Sequence, residues 1–325
     1  MYLFEKNPKI PSISGRFNLD NDILLSTHGR RKPIISRIIN NMSRINGKTE
    51  ILAVFGDPIA HSLSPVMHNA AFQALGWNAV YIPCRVLPEY LPQAVEGIRA
   101  MGYRGANITI PHKQSVISCL DEVVGDAVLS GSVNTIIHRD GKLLGTSTDG
   151  IGLIRSLQED GACEVAGKNV LLLGAGGSAA ALVFRLIQSG IGSLTLVNRD
   201  PERALRLKAK LQETTGFQVH IASLAELERL EWGGYDLLIN TTSVGLHDDQ
   251  TLVSPRFLNP SMLVYDIVYK PGDTRLIRDA RERGCRTVNG LSLLLYQGAE
   301  SFRWWFGEEP PLAVMREALN IGVSR

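Results

Sequence analysis

The segment NVLLLGAGGSAAALVFRLI runs from Asn169 to Ile187 and decides the fold class. After Asn169, Val170 to Leu173 form a continuous apolar run, as expected of a strand buried on both faces of a parallel sheet. Glycines follow, and then an apolar stretch with helical spacing begins. Strand, glycine turn and helix in that order make the setting a dinucleotide fingerprint needs. Gly174 permits the tight turn, Gly176 lets backbone approach a pyrophosphate, and Ala179 stands where a small residue lets helix and strand pack closely. The N–H groups and dipole of the helix N-terminus suit the phosphates. Taken alone, a G-x-G-x-x-A pattern is weak, and a βα turn without a ligand would read alike.

Moving downstream, SLTLVNR (193–199) is the next strand, residues 202–214 the next helix, and VHIASL (219–224) a further strand. The stretches YDLLINTTSVG (235–245) and MLVYDIVY (262–269) read as strands running into loops. The end of the strand at 193–199 selects the cofactor. NAD-binding versions carry an Asp or Glu there for the ribose hydroxyls. Here Asn198, Arg199, Asp200 and Arg203 occupy that place. Arg199 and Arg203 suit a 2′-phosphate and favour NADP, with NAD kept as the alternative because of Asp200. Asp200 followed by Pro201 is also a good helix start, N-cap then N1, which would take the carboxylate out of the phosphate's way.

Upstream, the alternation continues. ILAVFG (51–56) is a buried strand, residues 65–75 a helix stopped by Gly76, AVYIPCRV (79–86) a strand, and residues 90–101 a helix closed by Gly102. A strand at 106–110, a helix near 114–120, and a hairpin turning at Arg139-Asp140-Gly141 follow, then a helix over 150–159. The C-terminal part reads as two helices, 293–306 and 312–321. Such alternation specifies an α/β protein with mainly parallel sheets covered on both faces. Residues 1–44 differ: Asn-, Ser- and Arg-rich with weak periodicity, they read as a poorly ordered extension containing a short helix near 34–42, with Met42 as an alternative start. Asp20 and Asp22 argue against a targeting peptide, and no compact apolar core marks a secretory signal.

The chain has 325 residues and a formal net charge of +2, so bulk electrostatics points to neither nucleic acid nor an acidic membrane. No run of apolar residues is long enough to span a bilayer. The four cysteines, Cys84, Cys119, Cys163 and Cys285, are far apart and form no C-x-x-C pair. They fit a reduced, cytoplasmic setting better than a metal site or a disulfide framework. His61, His68 and His112 lack the carboxylate partners and spacing of a metal site, so no metal is expected.

The stretch GANITIPHKQSV (105–116) carries the chemistry. Alternation puts Asn107 and Thr109 on one face of a strand, with Ala106, Ile108 and Ile110 on the other. Pro111 stops the strand, and Lys113 follows at its carboxyl end, where open α/β sheets bind ligands. Ser64-Pro65 reads as N-cap and N1 of the next helix, a start whose partial positive charge suits a carboxylate. Ser62, not needed for the cap, is read as a binding group.

With HSLSP (61–65), NITIPHK (107–113), VNT (133–135), TDG (148–150), GAGG (174–177), NR (198–199), YDIVY (265–269) and NGLSLLLYQGAESF (289–302) in order, the chain resembles the shikimate dehydrogenase family over roughly residues 48–320. The resemblance implies reversible reduction of 3-dehydroshikimate to shikimate with NADPH, a step toward aromatic amino acids. It also implies a substrate domain at 45–149 and 291–325, a Rossmann domain at 150–290, and an active site in the cleft between them. Carried over by position, Ser62 and Ser64 hold the substrate carboxylate. Asn107, Thr109, Asn134, Tyr269 and Gln297 contact the substrate, and Lys113 and Asp149 form the catalytic dyad. The cofactor set is Gly174, Ala175, Gly176, Gly177, Ser178 and Ala179, with Asn198, Arg199, Asp200, Arg203, Thr241 and Gly290. Two positions depart from the family pattern: Ser147 stands where Asn is common, and Asp200 where Thr is frequent. The rival readings are a quinate or dual quinate/shikimate dehydrogenase using NAD, and a cofactor-binding regulator without turnover. A monomer or homodimer is expected.

Overall fold

The computed structural model describes residues 45–324, so the expected helix near 34–42 and the alternative start at Met42 lie outside the described residues. The first half builds a six-stranded sheet from β1 (Glu50–Gly56), β2 (Ala79–Arg85), β3 (Gly105–Ile108), β4 (Glu122–Val123), β5 (Thr135–Arg139) and β6 (Lys142–Thr146), ordered β2-β1-β3-β5-β6-β4. The β2-β1, β1-β3 and β6-β4 pairs are parallel, while β3-β5 and β5-β6 are antiparallel. The antiparallel step comes from the expected hairpin: Arg139 pairs with Lys142 across Asp140 and Gly141, both with positive φ (52° and 74°). A two-residue turn with both centres left-handed matches the twist of the flanking strands, and Asp-Gly supplies it. Helices α1 (Ser64–Leu75), α2 (Leu91–Ala100) and α3 (Asp126–Ser130) connect these strands.

After α4 (Asp149–Glu159) the second sheet begins. It holds β7 (Asn169–Leu173), β8 (Ser193–Asn198), β9 (Val219–Ser223), β10 (Leu237–Asn240), β11 (Leu263–Asp266) and β12 (Arg286–Val288), interleaved with α5 (Gly177–Gln188), α6 (Pro201–Thr215) and α7 (Arg275–Glu282). Every pair is parallel, in the order β12-β11-β10-β7-β8-β9. The chain leaves β7 in one direction and returns to its other side at β10. The crevice beyond the carboxyl ends of β7 and β10 is therefore the switch point at which open α/β sheets bind ligands. Val170 to Leu173 are at most 1% exposed, as the continuous apolar run requires.

Two terminal helices, α8 (Gly290–Phe306) and α9 (Leu312–Val323), close the structure. Asn289 caps α8 by accepting the Leu291 N–H at 3.2 Å. Phe302, Trp305 and Phe306 of α8 pack with Phe72 and Trp77 into the aromatic core of the first sheet. Helices α4 and α8 lie against each other, and a Cβ on Gly152 would stand 2.6 Å from the Gln297 backbone nitrogen. Only glycine allows that approach. Gly152→Ala should cost about 1–3 kcal/mol, as forced overpacking does. A urea melt that leaves the midpoint unchanged would show that the two helices are not in this contact.

His68 of α1 is fully buried, stacked on Tyr81 at 4.5 Å between ring centroids and edge-on to Trp305 at 5.5 Å. Neither ring nitrogen has a hydrogen-bond partner among the described residues. Burial drives its pKa from 6.5 down to about 3. The unfolded chain therefore binds a proton in this window that the folded chain refuses, so stability falls as pH drops below about 6.5, by about 1.4 kcal/mol per unit from this group. When urea midpoints are compared at about pH 7 and about pH 5, His68→Phe should lose distinctly less stability than the wild type. Equal losses would contradict the assignment.

Candidate active site

The loop after β1 carries HSLSP into α1. The helix starts one residue earlier than the sequence suggests: Leu63 is the cap position, Ser64 is the first helical residue and Pro65 the second. Ser64 does not cap. Instead Ser62 Oγ accepts the Ser64 N–H at 3.4 Å, so Ser62 has the local structural part expected of Ser64. A hydroxyl two residues ahead of a free helical N–H is well placed for that bond, which the dipeptide Ser-Pro alone does not reveal. Ser64 is 6% exposed, and its hydroxyl partly offsets the burial that pushes the Tyr81 phenol up. Tyr269, beyond β11, reaches this loop and comes near the Leu63 backbone. Burial pushes the Tyr269 phenol up.

Strand β3 ends at Ile108, so Thr109 and Ile110 lie beyond it, and Ile110 is 67% exposed rather than packed opposite Asn107. The reason is local: Pro111 follows at once and the chain turns, with the Asp57 N–H donating to Ile110 O at 3.0 Å. Thr109 packs on Gly56, where a Cβ would stand 2.4 Å from its methyl group. Asn107 faces inward and its amide is fully engaged. Its Oδ1 accepts from the Tyr81 hydroxyl at 2.7 Å, and its Nδ2 donates to Asn134 O, Thr135 Oγ1 and Ser301 Oγ at 3.0–3.1 Å. His112 is pinned by Nε2 to Val86 O at 2.7 Å, which fixes the backbone just before Lys113.

Lys113 Nζ donates to Asp149 Oδ2 at 2.5 Å, with the two side chains 14% and 7% exposed. Asp149 is the first residue of α4, where the helix dipole favours a carboxylate. Its other oxygen, Oδ1, accepts from Asn134 Nδ2 at 2.8 Å, and the same amide donates to Gln297 Oε1 at 3.2 Å. Asn134 Oδ1 in turn accepts the Thr148 N–H at 2.8 Å and the Thr135 hydroxyl at 2.9 Å. Lys113, Asn134, Asp149 and Gln297 thus converge from the ends of β3 and β5 and from α4 and α8. Ser147, beside them, is 1% exposed and its hydroxyl has no partner among the described residues.

The glycine loop is close by. Lys113 O accepts the Val133 N–H at 2.8 Å, and the preceding residue, Ser132, has its Oγ 3.9 Å from where a Cβ on Gly177 would stand. Gly174 has φ +109°, and a Cβ there would meet Thr241 Oγ1 at 2.5 Å. Thr241 spends its hydroxyl on Leu173 O at 2.6 Å, so it shapes the turn. Gly176 faces open space at the N-terminus of the 12-residue α5, and a Cβ on it would meet nothing within 4 Å. Open space in front of unsatisfied helical N–H groups fits a dinucleotide pyrophosphate. Gly290 is a packing position: a Cβ would lie 2.1 Å from Ile267 O. Asp266 ties the crevice's far wall, accepting from Asn240 Nδ2 at 2.9 Å, the Val268 N–H at 3.1 Å and Thr274 Oγ1 at 2.6 Å. Burial pushes its carboxyl up, against those three hydrogen bonds.

At the end of β8, Asp200 caps α6 as expected, accepting the Glu202 and Arg203 N–H groups at 3.0 and 3.4 Å. Asn198 Nδ2 donates to Asp200 O at 2.7 Å. Arg199 and Arg203 are exposed, and Arg203 lies 3.5 Å from Asp200. Two contributors to the site escape the sequence reading, Tyr81 and Ser301. The signal for Ser301 is its place one helical turn after Gln297, hence on the same face. Among the described residues no cluster of His, Cys, Asp and Glu could hold a metal, and no helix is long and apolar enough to cross a membrane.

Known proteins match this arrangement. The family described as shikimate dehydrogenase substrate binding domain matches residues 54–136, shikimate / quinate 5-dehydrogenase matches 156–246, and shikimate 5'-dehydrogenase C-terminal domain matches 290–319. The shikimate dehydrogenase (NADP(+)) of Methanothermobacter thermautotrophicus is 43% identical over 284 residues, covering 86% of this chain and 99% of that protein. A crystal structure of shikimate dehydrogenase in complex with NADP+ superposes with a TM-score of 0.82 at 38% identity, covering 86% and 98% of the two chains. The shikimate 5-dehydrogenase from Listeria monocytogenes in complex with shikimate and NAD gives 0.80 at 37% identity, covering 85% and 98%. From the strand that leads to Lys113 to the helix that carries Gln297, the chain belongs to the shikimate dehydrogenase family.

Proposed function

We propose that this chain catalyses the reversible, NADP-dependent reduction of 3-dehydroshikimate to shikimate. The observation that carries the reading is the Lys113–Asp149 pair at 2.5 Å, almost buried and close to the glycine loop. A buried ion pair contributes little net stability against its desolvation cost, so its placement here points to chemistry. When bound, NADPH supplies the hydride. Lys113 Nζ stands ready to pass a proton to the ketone oxygen, and Asp149 holds and orients the ammonium. In the reverse direction the same pair accepts the proton of the alcohol. Asn134 fixes the second oxygen of Asp149 so that the carboxylate cannot rotate away from Lys113.

The remaining roles follow from placement. Ser62 and Ser64, at the start of α1, meet the substrate carboxylate, where the helix dipole adds to their hydroxyls. Thr109, Asn134, Tyr269 and Gln297 surround the ring, and Asn107 supports it from behind through Asn134 and Thr135. The substrate unit comprises 45–149 with 291–325, and the cofactor unit 150–290. Gly174 to Ala179 cradle the pyrophosphate, and Arg199 and Arg203 meet the 2′-phosphate. Because the Asp200 carboxylate is engaged with the start of α6, it does not argue against NADP. All four cysteines are free thiols, in keeping with a cytoplasmic enzyme.

Initial rates with shikimate or quinate, each with NADP+ or NAD+, test the reading directly. Shikimate with NADP+ should give the highest kcat/KM, and turnover confined to quinate with NAD+ would replace it with the rival enzyme. Lys113→Met should keep the fold and NADP+ affinity while kcat drops by about 10²–10⁴-fold, the usual range for a lost acid–base group. Near-normal turnover would refute the dyad. Removing one charge-assisted phosphate contact is worth about 1.5–3 kcal/mol, so Arg199→Ala should raise KM for NADP+ by about tenfold or more and leave that for NAD+ unchanged. An equal rise for both cofactors would remove Arg199 from the 2′-phosphate site.

A further inference from the structure

We propose that Ser301 is a positioning residue for this reaction: its hydroxyl sets the orientation of the Asn134 amide and, through it, the Lys113–Asp149 pair. The proposal rests on the functional reading above. Ser301 is fully buried on α8, one turn beyond Gln297, and touches neither Lys113 nor Asp149. Its Oγ lies 2.8 Å from Thr135 Oγ1, 3.1 Å from Thr148 Oγ1 and 3.0 Å from Asn107 Nδ2, with Gln297 O at 3.0 Å as a further acceptor. Thr135 and Thr148 are neighbours in sequence of Asn134 and Asp149, and Asn107 sits on the strand that leads to Lys113. One hydroxyl therefore joins every segment that carries a member of the dyad's surroundings.

Hydrogen bookkeeping gives this hub a direction. An Asn amide can be turned either way about its terminal bond, and only its partners choose. Asp149 Oδ1 accepts only, so it needs the Asn134 NH₂ group facing it. That requires Asn134 Oδ1 to be held on the other side by donors, which are the Thr148 N–H at 2.8 Å, the Thr135 hydroxyl at 2.9 Å and, more distantly, the Thr148 hydroxyl at 3.2 Å. Thr135 has a single proton. It gives that proton to Asn134 because its own oxygen already receives Asn107 Nδ2 at 3.1 Å, and receives Ser301 Oγ at 2.8 Å when the one Ser301 proton points to Thr135 instead of to Gln297 O. With Ser301 truncated, Asn107 and Thr148 each lose a partner, and the Thr135 hydroxyl is free to turn toward the vacated space. The grip on Asn134 Oδ1 then slackens, and with it the aim of the Asp149 carboxylate. The same chain continues outward from Asn107 to the Tyr81 hydroxyl, on the side of the cleft where Ser64 begins α1.

The test compares Ser301→Ala with Ser156→Ala in the full chain. Ser156 is an equally buried serine, bonded to the Tyr265 hydroxyl and outside this network. Both variants should lose similar thermal stability. Ser301→Ala should lower kcat for shikimate oxidation about tenfold or more, with KM for shikimate and NADP+ within about twofold, whereas Ser156→Ala should keep kcat within about twofold. In an Asn134→Ala background, the further loss caused by Ser301→Ala should vanish, because its route to the dyad is gone. Additive losses in the two backgrounds, or equal kcat in Ser301→Ala and Ser156→Ala, would overturn the proposal. Should Ser301→Ala fail to fold, Thr135→Val interrupts the same chain one step nearer Asn134 and is read against the same outcomes. Wild-type turnover of shikimate is the control: its absence would refute the functional reading, whereas its presence with an unaffected Ser301→Ala would refute only the proposal.

Discussion

The structure is organised around one nearly buried ion pair, Lys113 with Asp149. Two opposite charges removed from water must be held in good geometry, with their remaining hydrogen-bonding capacity satisfied. Three separate devices meet that demand. His112, anchored to Val86 O, fixes the chain that presents Lys113. The start of α4 presents Asp149 where the helix dipole stabilises a carboxylate. Asn134, held from behind by Thr135 and Thr148, takes the second carboxylate oxygen. The devices belong to different elements, so the pair exists only when the sheet and α4 are both in place.

The same dependence explains the close packing of α4 on α8. One helix starts with Asp149 and the other carries Gln297 and Ser301, and Gly152 lets the backbones approach. A similar logic shapes the glycine loop. Gly174 accommodates Thr241 across the switch point while Gly176 leaves space open in front of α5. Asp266 then braces the far wall through Asn240, Val268 and Thr274, which sets the loop bearing Tyr269. Binding surface and reacting groups are thus rigid for separate local reasons, and they meet where the chain at Ser132 comes up to Gly177.

Much of this is legible in the sequence because it is local. The run before Gly174, the Asp-Gly hairpin and the Asp-Pro start of α6 each have a mechanism confined to a few residues, and each takes the expected form in the structure. The short charged helix α7 and the three-residue β12 escape a sequence reading, since eight and three residues carry little periodicity. The Ser-Pro pair misplaces the start of α1 by one residue, because backbone geometry, absent from the sequence, gives the capping bond to Ser62. Simple alternation assigns opposite faces to Asn107 and Ile110, and it fails once the strand ends at Ile108. Ser301 and Tyr81 are hidden because their roles depend on partners 26 to 194 residues away. The named motifs reveal which side chains meet the substrate, while the framework behind them is written only in three dimensions.

The most direct test of the central claim is a crystal structure of the full chain with shikimate and NADP+. The account predicts the ring seated between the glycine loop and α1, its carboxylate on Ser62 and Ser64, and its reacting hydroxyl within hydrogen-bonding distance of Lys113 Nζ, with the Asp149 contact retained. A ring bound elsewhere, or a Lys113 side chain turned away from both Asp149 and the reacting carbon, would contradict it.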